Sequence, residues 1–205
     1  MTNNENEGHN GKLITEIASY ATDSLKLLPN LILLHAGTND LNRPVDPEAA
    51  PERLGQLIDQ IMTACPNSTL LVAKIVPSAD PNTMKRIKIF NDAVENLSSK
   101  YQKAGTQLLV VEMTDYVKVE DLFDSLHPND RGYEKMATAW YKGVEDAASK
   151  GWLDRPPMEV PATVTEGQAV ATQSAKAEAM SQLMVQFAGI HGLGLCIIGI
   201  IMACL

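Results

Sequence analysis

Short apolar runs alternate with amphipathic helical patterns over residues 12–150 of this 205-residue chain, and this alternation constrains the fold more than any other feature. The runs at 31–36, 70–76 and 107–113 are nearly continuous in apolar residues and are bounded by turn formers. Continuous apolar strands are typical of parallel sheets that are covered on both faces. Strands that alternate with helices favour right-handed crossovers. The sequence therefore predicts a three-layer α/β/α domain with a parallel sheet.

Four helical patterns flank the runs, at 12–28, 54–62, 87–101 and 133–144. Each repeats apolar residues at steps of three and four, which is the spacing of one buried helical stripe. Three strands make a thin sheet for a three-layer domain, so we expect that strands are missing from the front of the chain.

The C-terminal part departs from this pattern, and no charged residue follows Glu178. We expect an α/β domain over 1–150, a linker rich in Pro, Thr, Ala, Gln and Ser over 151–182, and a hydrophobic helix over 183–205. An apolar segment of this length can cross a bilayer. A transmembrane helix, a lipid-anchor signal cleaved near Ser174 or Ala175 and a terminal helix packed on the sheet all remain open.

The overall charge limits the partners of the chain. The net charge is −8 and the pI is about 5.0, which argues against a nucleic-acid partner because phosphate binding needs a basic face. The three cysteines lack zinc-site spacing, so we expect no metal. Residues 1–10 lack the basic and apolar regions of a signal peptide. A membrane-associated or cell-surface location would therefore require a longer form that carries such a signal.

Polar side chains follow the predicted strands at their carboxyl ends, where parallel sheets bind ligands. Gly37-Thr38-Asn39-Asp40 follows the first strand, and the Asn39 amide can donate two hydrogen bonds there; a turn with a helix cap explains the same residues. Asp124 precedes His127 by three residues in the loop after the third strand. Such a carboxylate can orient an imidazole and stabilise its protonated form, although a surface histidine near a carboxylate is common.

These segments together resemble the SGNH (GDSL-type) hydrolases. Gly-Thr-Asn-Asp at 37–40 is similar to the third sequence block of that family, and Asp-Ser-Leu-His-Pro-Asn-Asp-Arg-Gly-Tyr at 124–133 to the fifth. Glu-Gly-His-Asn-Gly at 7–11, followed by a helix, is similar to the second. The residues in these blocks further resemble those of the acetylxylan-esterase-like branch of the family. The resemblance covers roughly residues 5–150 and implies the flavodoxin-like SGNH hydrolase fold.

The resemblance implies a serine esterase that needs neither an organic cofactor nor a metal. His127 would be the general base and Asp124 would orient it. The Asn39 side-chain amide and the Gly11 backbone N–H would be two of three oxyanion donors. The expected substrate is a small-molecule or carbohydrate ester, such as an O-acetylated polysaccharide.

The nucleophile of the family lies in a first block, Gly-Asp-Ser, which does not occur in this sequence. Ser78 follows the second strand at the correct end, but no motif marks it. Ser125 lies in a tight turn that should aim it away from His127. We therefore nominate no nucleophile, and a front truncation would explain the missing block. The sequence predicts an ester hydrolase crippled by this loss; the alternative is a non-catalytic, membrane-tethered remnant of such a domain.

Overall fold

The computed structural model describes residues 6–153 and 197–202, with side chains for 8–153. Five strands and five helices lie in these ranges. In chain order they are β1 (Asn6–Gly8), α1 (Ile14–Ser24), β2 (Leu31–His35), α2 (Thr38–Asn42), α3 (Ala50–Ala64), β3 (Thr69–Ala73), α4 (Pro81–Lys103), β4 (Leu108–Val111), α5 (Asp130–Ser149) and β5 (Ile197–Met202).

The strands form one parallel sheet in the order β1-β5-β2-β3-β4. Leu31 of β2 is level with Thr69 of β3, and Leu70 of β3 is level with Leu108 of β4. The three predicted strands are β2, β3 and β4, and the parallel sheet that they predicted is confirmed. Because every strand runs the same way, the loops that carry the candidate residues all leave one edge of the sheet.

Helices cover both faces of the sheet, as a three-layer domain requires. Ile32 and Leu34 of β2 pack among the apolar residues of α1, α3 and α4. Leu31 and Leu33 point to the other face and pack with α5, where Trp140 is the largest buried side chain. Successive side chains of a strand alternate between faces, so a strand that is apolar throughout fills both layers at once.

The sheet contains two strands beyond the three that were predicted, β1 and β5. The apolar run Ile197–Met202 is a strand between β1 and β2, so the predicted hydrophobic helix is wrong for these residues. The isoleucines are β-branched and favour strands, and β2 offers them a parallel neighbour. Residues 154–196 and 203–205, and with them most of the predicted linker and tail, lie outside the described residues.

Among the residues that the structure describes, no helix has both the length and the apolarity that a bilayer crossing requires.

The segment after β2 also differs from its prediction. Thr38–Asn42 forms the short helix α2, where a turn with a helix cap was one expectation. Gly37 precedes it with a φ of +124°, which side-chain-bearing residues avoid. A Cβ at this position would lie 2.8 Å from Cζ of Phe90. Glycine therefore allows the chain to turn from β2 into α2 directly over the core.

Candidate active site

Asp124 and His127 lie side by side in the loop between β4 and α5. Oδ2 of Asp124 is 2.6 Å from Nδ1 of His127. The other oxygen, Oδ1, accepts hydrogen bonds from the backbone N–H groups of His127 and Leu126, both at 2.8 Å. The N–H of His127, then that of Leu126 and the imidazole, lower the pKa of Asp124 to about 2. A charged carboxylate thus fixes the ring through one nitrogen, as a base-orienting group would.

Backbone hydrogen bonds close the short segment 122–128, which carries Asp124 and His127. The N–H of Phe123 donates to the carbonyl of His127 at 2.7 Å, and Leu122 and Pro128 form an antiparallel bridge. The side chains remain accessible, since that of Asp124 is 44% exposed and that of His127 36%. The local pairing therefore sets the geometry of the loop while leaving its polar tips open.

Contacts at the start of α5 hold the loop that carries Asp124 and His127. The side chain of Asn129 caps the helix by accepting from the Gly132 N–H at 2.9 Å, a common role for asparagine at a helix N-terminus. The buried carboxylate of Asp121 bonds Lys135 and the backbone N–H of Lys118 at 2.9 Å, and the cation lowers the pKa of Asp121. A Cβ on Gly132 would lie 2.4 Å from the Asp121 carbonyl oxygen. The lack of a side chain at Gly132 thus allows α5 to lie close to the backbone of Asp121.

Ser78, the serine at the carboxyl end of β3, is buried and holds this loop. Its hydroxyl donates to the carbonyl of Ser125 at 2.8 Å and accepts from the N–H of Asp80 at 3.1 Å. The N–H of Ala79 donates to the same Ser125 carbonyl at 2.8 Å. Ser78 is therefore engaged as an anchor of the Asp124–His127 loop.

Asn39 is bonded to the turn that carries Gly11, and both follow strands at this edge of the sheet. Asn39 is buried in the first turn of α2, and its Nδ2 donates to the Lys12 carbonyl at 3.2 Å. Gly11 has a φ of +73°, and a Cβ there would lie 3.1 Å from Nη2 of Arg43. Nη1 of Arg43 donates to the Gly11 carbonyl at 3.0 Å. The turn that carries the Gly11 N–H is thus bonded to the helix that carries Asn39.

The structure therefore contains two pairs, Asp124 with His127 and Asn39 with the Gly11 turn. The segment from β3 into α4 touches both: Ser78 holds the Asp124–His127 loop, and Nε of Arg86 donates to the Leu41 carbonyl of α2 at 2.5 Å. Sequence patterns did not indicate these supporting residues, because their partners lie more than 40 positions away.

Asp40, which follows Asn39, accepts from the Ile14 N–H at 3.0 Å, 26 positions away, and forms an ion pair with Arg53 at 2.9 Å.

His35, at the end of β2, is buried, but its ring is not satisfied by hydrogen bonds. Neither ring nitrogen has a partner in the described part of the chain. Burial lowers its pKa to about 4, because the charged form would lose its hydration. His35 is therefore neutral in the folded protein at ordinary pH.

Comparison with known proteins identifies the family of the chain. Residues 2–135 match the model of the GDSL-like lipase/acylhydrolase family. The chain is similar to the family 3 carbohydrate esterase of Clostridium thermocellum, with 32% identity, a TM-score of 0.61, and coverage of 70% of this chain and 71% of that one. A carbohydrate esterase family 3 protein from Talaromyces cellulolyticus shares the fold at 18% identity and a TM-score of 0.57, over 70% and 72% of the two chains.

A curated relative, "Putative endoglucanase X" of Acetivibrio thermocellus, is 32% identical over 121 residues, which are 58% of this chain and 51% of that protein. The match to the "Multidomain esterase" of Ruminococcus flavefaciens is 28% identical and covers 58% of this chain and 16% of that protein. The chain thus spans about half of the first relative and a small part of the second. Since the family model covers more than half of the sequence, this chain belongs to the GDSL-like lipase/acylhydrolase family, which confirms the resemblance to SGNH hydrolases.

Proposed function

We propose that this domain is a carboxylic-ester hydrolase site for carbohydrate esters, with O-acetyl groups on small or polymeric sugars as the substrate class. The 2.6 Å contact between Asp124 Oδ2 and His127 Nδ1 carries the proposal. It leaves Nε2 as the ring nitrogen that takes a proton, while the carboxylate stabilises the imidazolium. The sugar-ester class is supported by the similarity to carbohydrate esterases.

In the proposed reaction, Asn39 and Gly11 stabilise the oxyanion. The negative charge that forms on the carbonyl oxygen would accept from the Asn39 side-chain amide and the Gly11 N–H. Such donors act on charge that develops in the transition state, and the loss of one costs about 10²- to 10³-fold in rate. The buried position of Asn39 and the bonded Gly11 turn would keep both donors in place before substrate binds.

The proposal assigns no nucleophile. Among the described serines at this edge, Ser78 uses its hydroxyl to hold Ser125, and Ser125 is marked by no nucleophile motif. We infer that the polypeptide hydrolyses esters slowly. Fluorophosphonate labelling followed by peptide mass spectrometry tests this: we expect no labelled serine, and a stoichiometric adduct on any serine would overturn the inference.

The esterase proposal itself is tested by the residual rate. Enzymes that lose a triad member keep roughly 10³- to 10⁴-fold catalysis over water through the oxyanion hole and binding. We expect the chain to accelerate 4-nitrophenyl acetate hydrolysis within that range, and Asn39→Ala to remove about 10²-fold of it. No acceleration over buffer would instead favour a non-catalytic remnant, the second candidate, which the engaged hydroxyl of Ser78 supports.

A further inference from the structure

The turn that carries Gly11 is bonded to side chains at four consecutive residues, 11–14. These bonds run from Arg43 Nη1 to the Gly11 carbonyl at 3.0 Å, from Asn39 Nδ2 to the Lys12 carbonyl at 3.2 Å, from the Leu13 N–H to Glu16 Oε2 at 2.9 Å and from the Ile14 N–H to Asp40 Oδ2 at 3.0 Å. Three of the four side chains belong to α2 or to the residue that follows it. The Gly11 turn and α2 therefore form one unit.

Asp40 occupies the centre of this unit, with a side chain that is 0% exposed. While Oδ2 holds the first N–H of α1, Oδ1 accepts from Nε and Nη2 of Arg53 at 3.0 and 2.9 Å. The same guanidinium donates to the carbonyls of Val45 and Asp46 at 2.9 and 3.0 Å. Arg53 lies on α3, so the pair fixes α2 and its following loop to a long helix.

Stability alone does not account for a charged pair at this place. Desolvation of two ions is costly, and apolar residues of similar volume are often as stable or more stable. A guanidinium that meets one carboxylate oxygen through two N–H groups adds directional restraint, which an apolar contact does not provide. The buried pair therefore has its clearest consequence in geometry.

We propose that Asp40, held by Arg53, is a positioning residue that sets the Gly11 N–H relative to the Asn39 amide. Asp40 follows Asn39 directly, and its carboxylate fixes the far end of the turn that begins at Gly11. Errors of about 1 Å in such placement can cost 10²-fold in rate. The inference rests on the proposed function, because it assigns a supporting group to the same pair of donors.

Acetate is the probe, because its carboxylate can accept from both donors. Binding is followed by proton–nitrogen NMR of the Gly11 amide and the Asn39 side-chain amide in the whole chain. We expect Asp40→Asn to raise the acetate Kd at least tenfold and to shift both amide signals. Arg53→Lys, which keeps the charge but loses the two-pronged contact, should give a smaller increase of about threefold to fivefold and is the fallback if Asp40→Asn fails to fold.

Asp59→Asn is the matched control. The Asp59 carboxylate accepts from the Tyr101 hydroxyl at 2.7 Å, so this variant weakens a polar contact between α3 and α4 that involves neither the Gly11 turn nor α2. It should lower the Tm without changing the acetate Kd. Equal Kd values in wild type, Asp40→Asn and Arg53→Lys would overturn the positioning role.

The two proposals fail in different ways. If the wild-type chain does not bind acetate, the proposed ester site is contradicted. The unliganded spectra still decide the positioning role in that case: unmoved Gly11 and Asn39 amide signals in Asp40→Asn and Arg53→Lys overturn it, and shifts in both that are absent from Asp59→Asn support it.

Discussion

The two halves of the candidate site are held in different ways. Asn39 and the Gly11 turn lie against the core, where long-range side-chain bonds and the Asp40–Arg53 pair lock them. Asp124 and His127 lie on an accessible loop whose shape comes mainly from bonds within a few residues. The half that would stabilise charge is thus fixed by contacts with the core, whereas the half that would move a proton lies on an accessible loop. Substitutions in the first half should cost more stability, and those in the second should mainly change the position of the His127 ring.

The largest effect is expected from Gly37→Ala, in the buried half. A φ of +124° disfavours any side chain, and the new Cβ would meet Phe90 at 2.8 Å. Backbone strain and overpacking together should lower the free energy of unfolding by about 4 kcal/mol. Chemical denaturation measures the loss. Gly105→Ala is the control, because its φ is +86° with open space around it, and it should cost about 1 to 2 kcal/mol. Equal losses would show that Phe90 is not the obstacle.

The second effect is a pH dependence that belongs to the buried half. The folded-state pKa of His35 is about 4, below its unfolded value of about 6.5. Above pH 6.5 His35 is neutral in both the folded and the unfolded chain. Between pH 6.5 and pH 4 it is protonated in the unfolded chain but stays neutral in the folded chain, so the free energy of unfolding falls as the pH drops. The loss approaches about 3 kcal/mol. Wild type should lose this much more than His35→Leu between pH 7 and pH 4 in urea titrations, and parallel curves would contradict the assignment.

Gly132→Ala tests the attachment of the accessible half. The added methyl would press on the Asp121 carbonyl and on Pro128 at 2.8 Å. Overpacking should exceed the helix-propensity gain and leave a net loss of about 1 to 2 kcal/mol, with shifted His127 NMR signals. Gly55→Ala in α3 is the control, since its Cβ would make only ordinary contact with Leu97 at 3.5 Å; it should be neutral or stabilising. Unchanged His127 signals in Gly132→Ala would show that α5 does not set this loop.

The smallest effect on stability should come from Asp124→Asn. The side chain is 44% exposed, and the amide oxygen can still accept from the backbone of the loop, so we expect a loss under about 1 kcal/mol. The NMR signals of the His127 ring should nevertheless shift, because the ring loses the charged partner that orients it. In wild type, carbon-detected NMR should give Asp124 a titration midpoint at about pH 2. A stability loss as large as that of Gly37→Ala would remove the contrast between the halves.

Local patterns predicted most of the elements and missed those that depend on distant partners. The stripes and apolar runs indicated α1, α3, α4, α5 and three strands. Strand β1 has only three residues and no apolar run, and β5 becomes a strand through its pairing with β2. The short helix α2 depends on Gly37 and on bonds to α1. Each of these elements depends on a strand or residue that is distant in the sequence, so a local pattern does not reveal it.

The candidate site follows the same division. The motif spacing predicted the contact of Asp124 with His127, since three residues separate them in one turn. The proximity of Asn39 to the Gly11 turn came from the family resemblance, not from spacing. Arg53 and Ser78 were missed as supporting residues because their partners are 13 and 47 positions away, and such distances correspond to no helical or strand period.

Strand β1 pairs with β5, while β5 also pairs with β2. Residues 6–8 therefore find their place in the sheet only after residues 197–202 have been synthesised. During translation, β2 and β3 can associate early, but the side of β2 that receives β5 must wait with its backbone groups unpaired, a state prone to wrong pairing. Such long-range closure slows folding. The Gly11 turn, which follows β1, is thus expected to be among the last parts of the molecule to reach its final position.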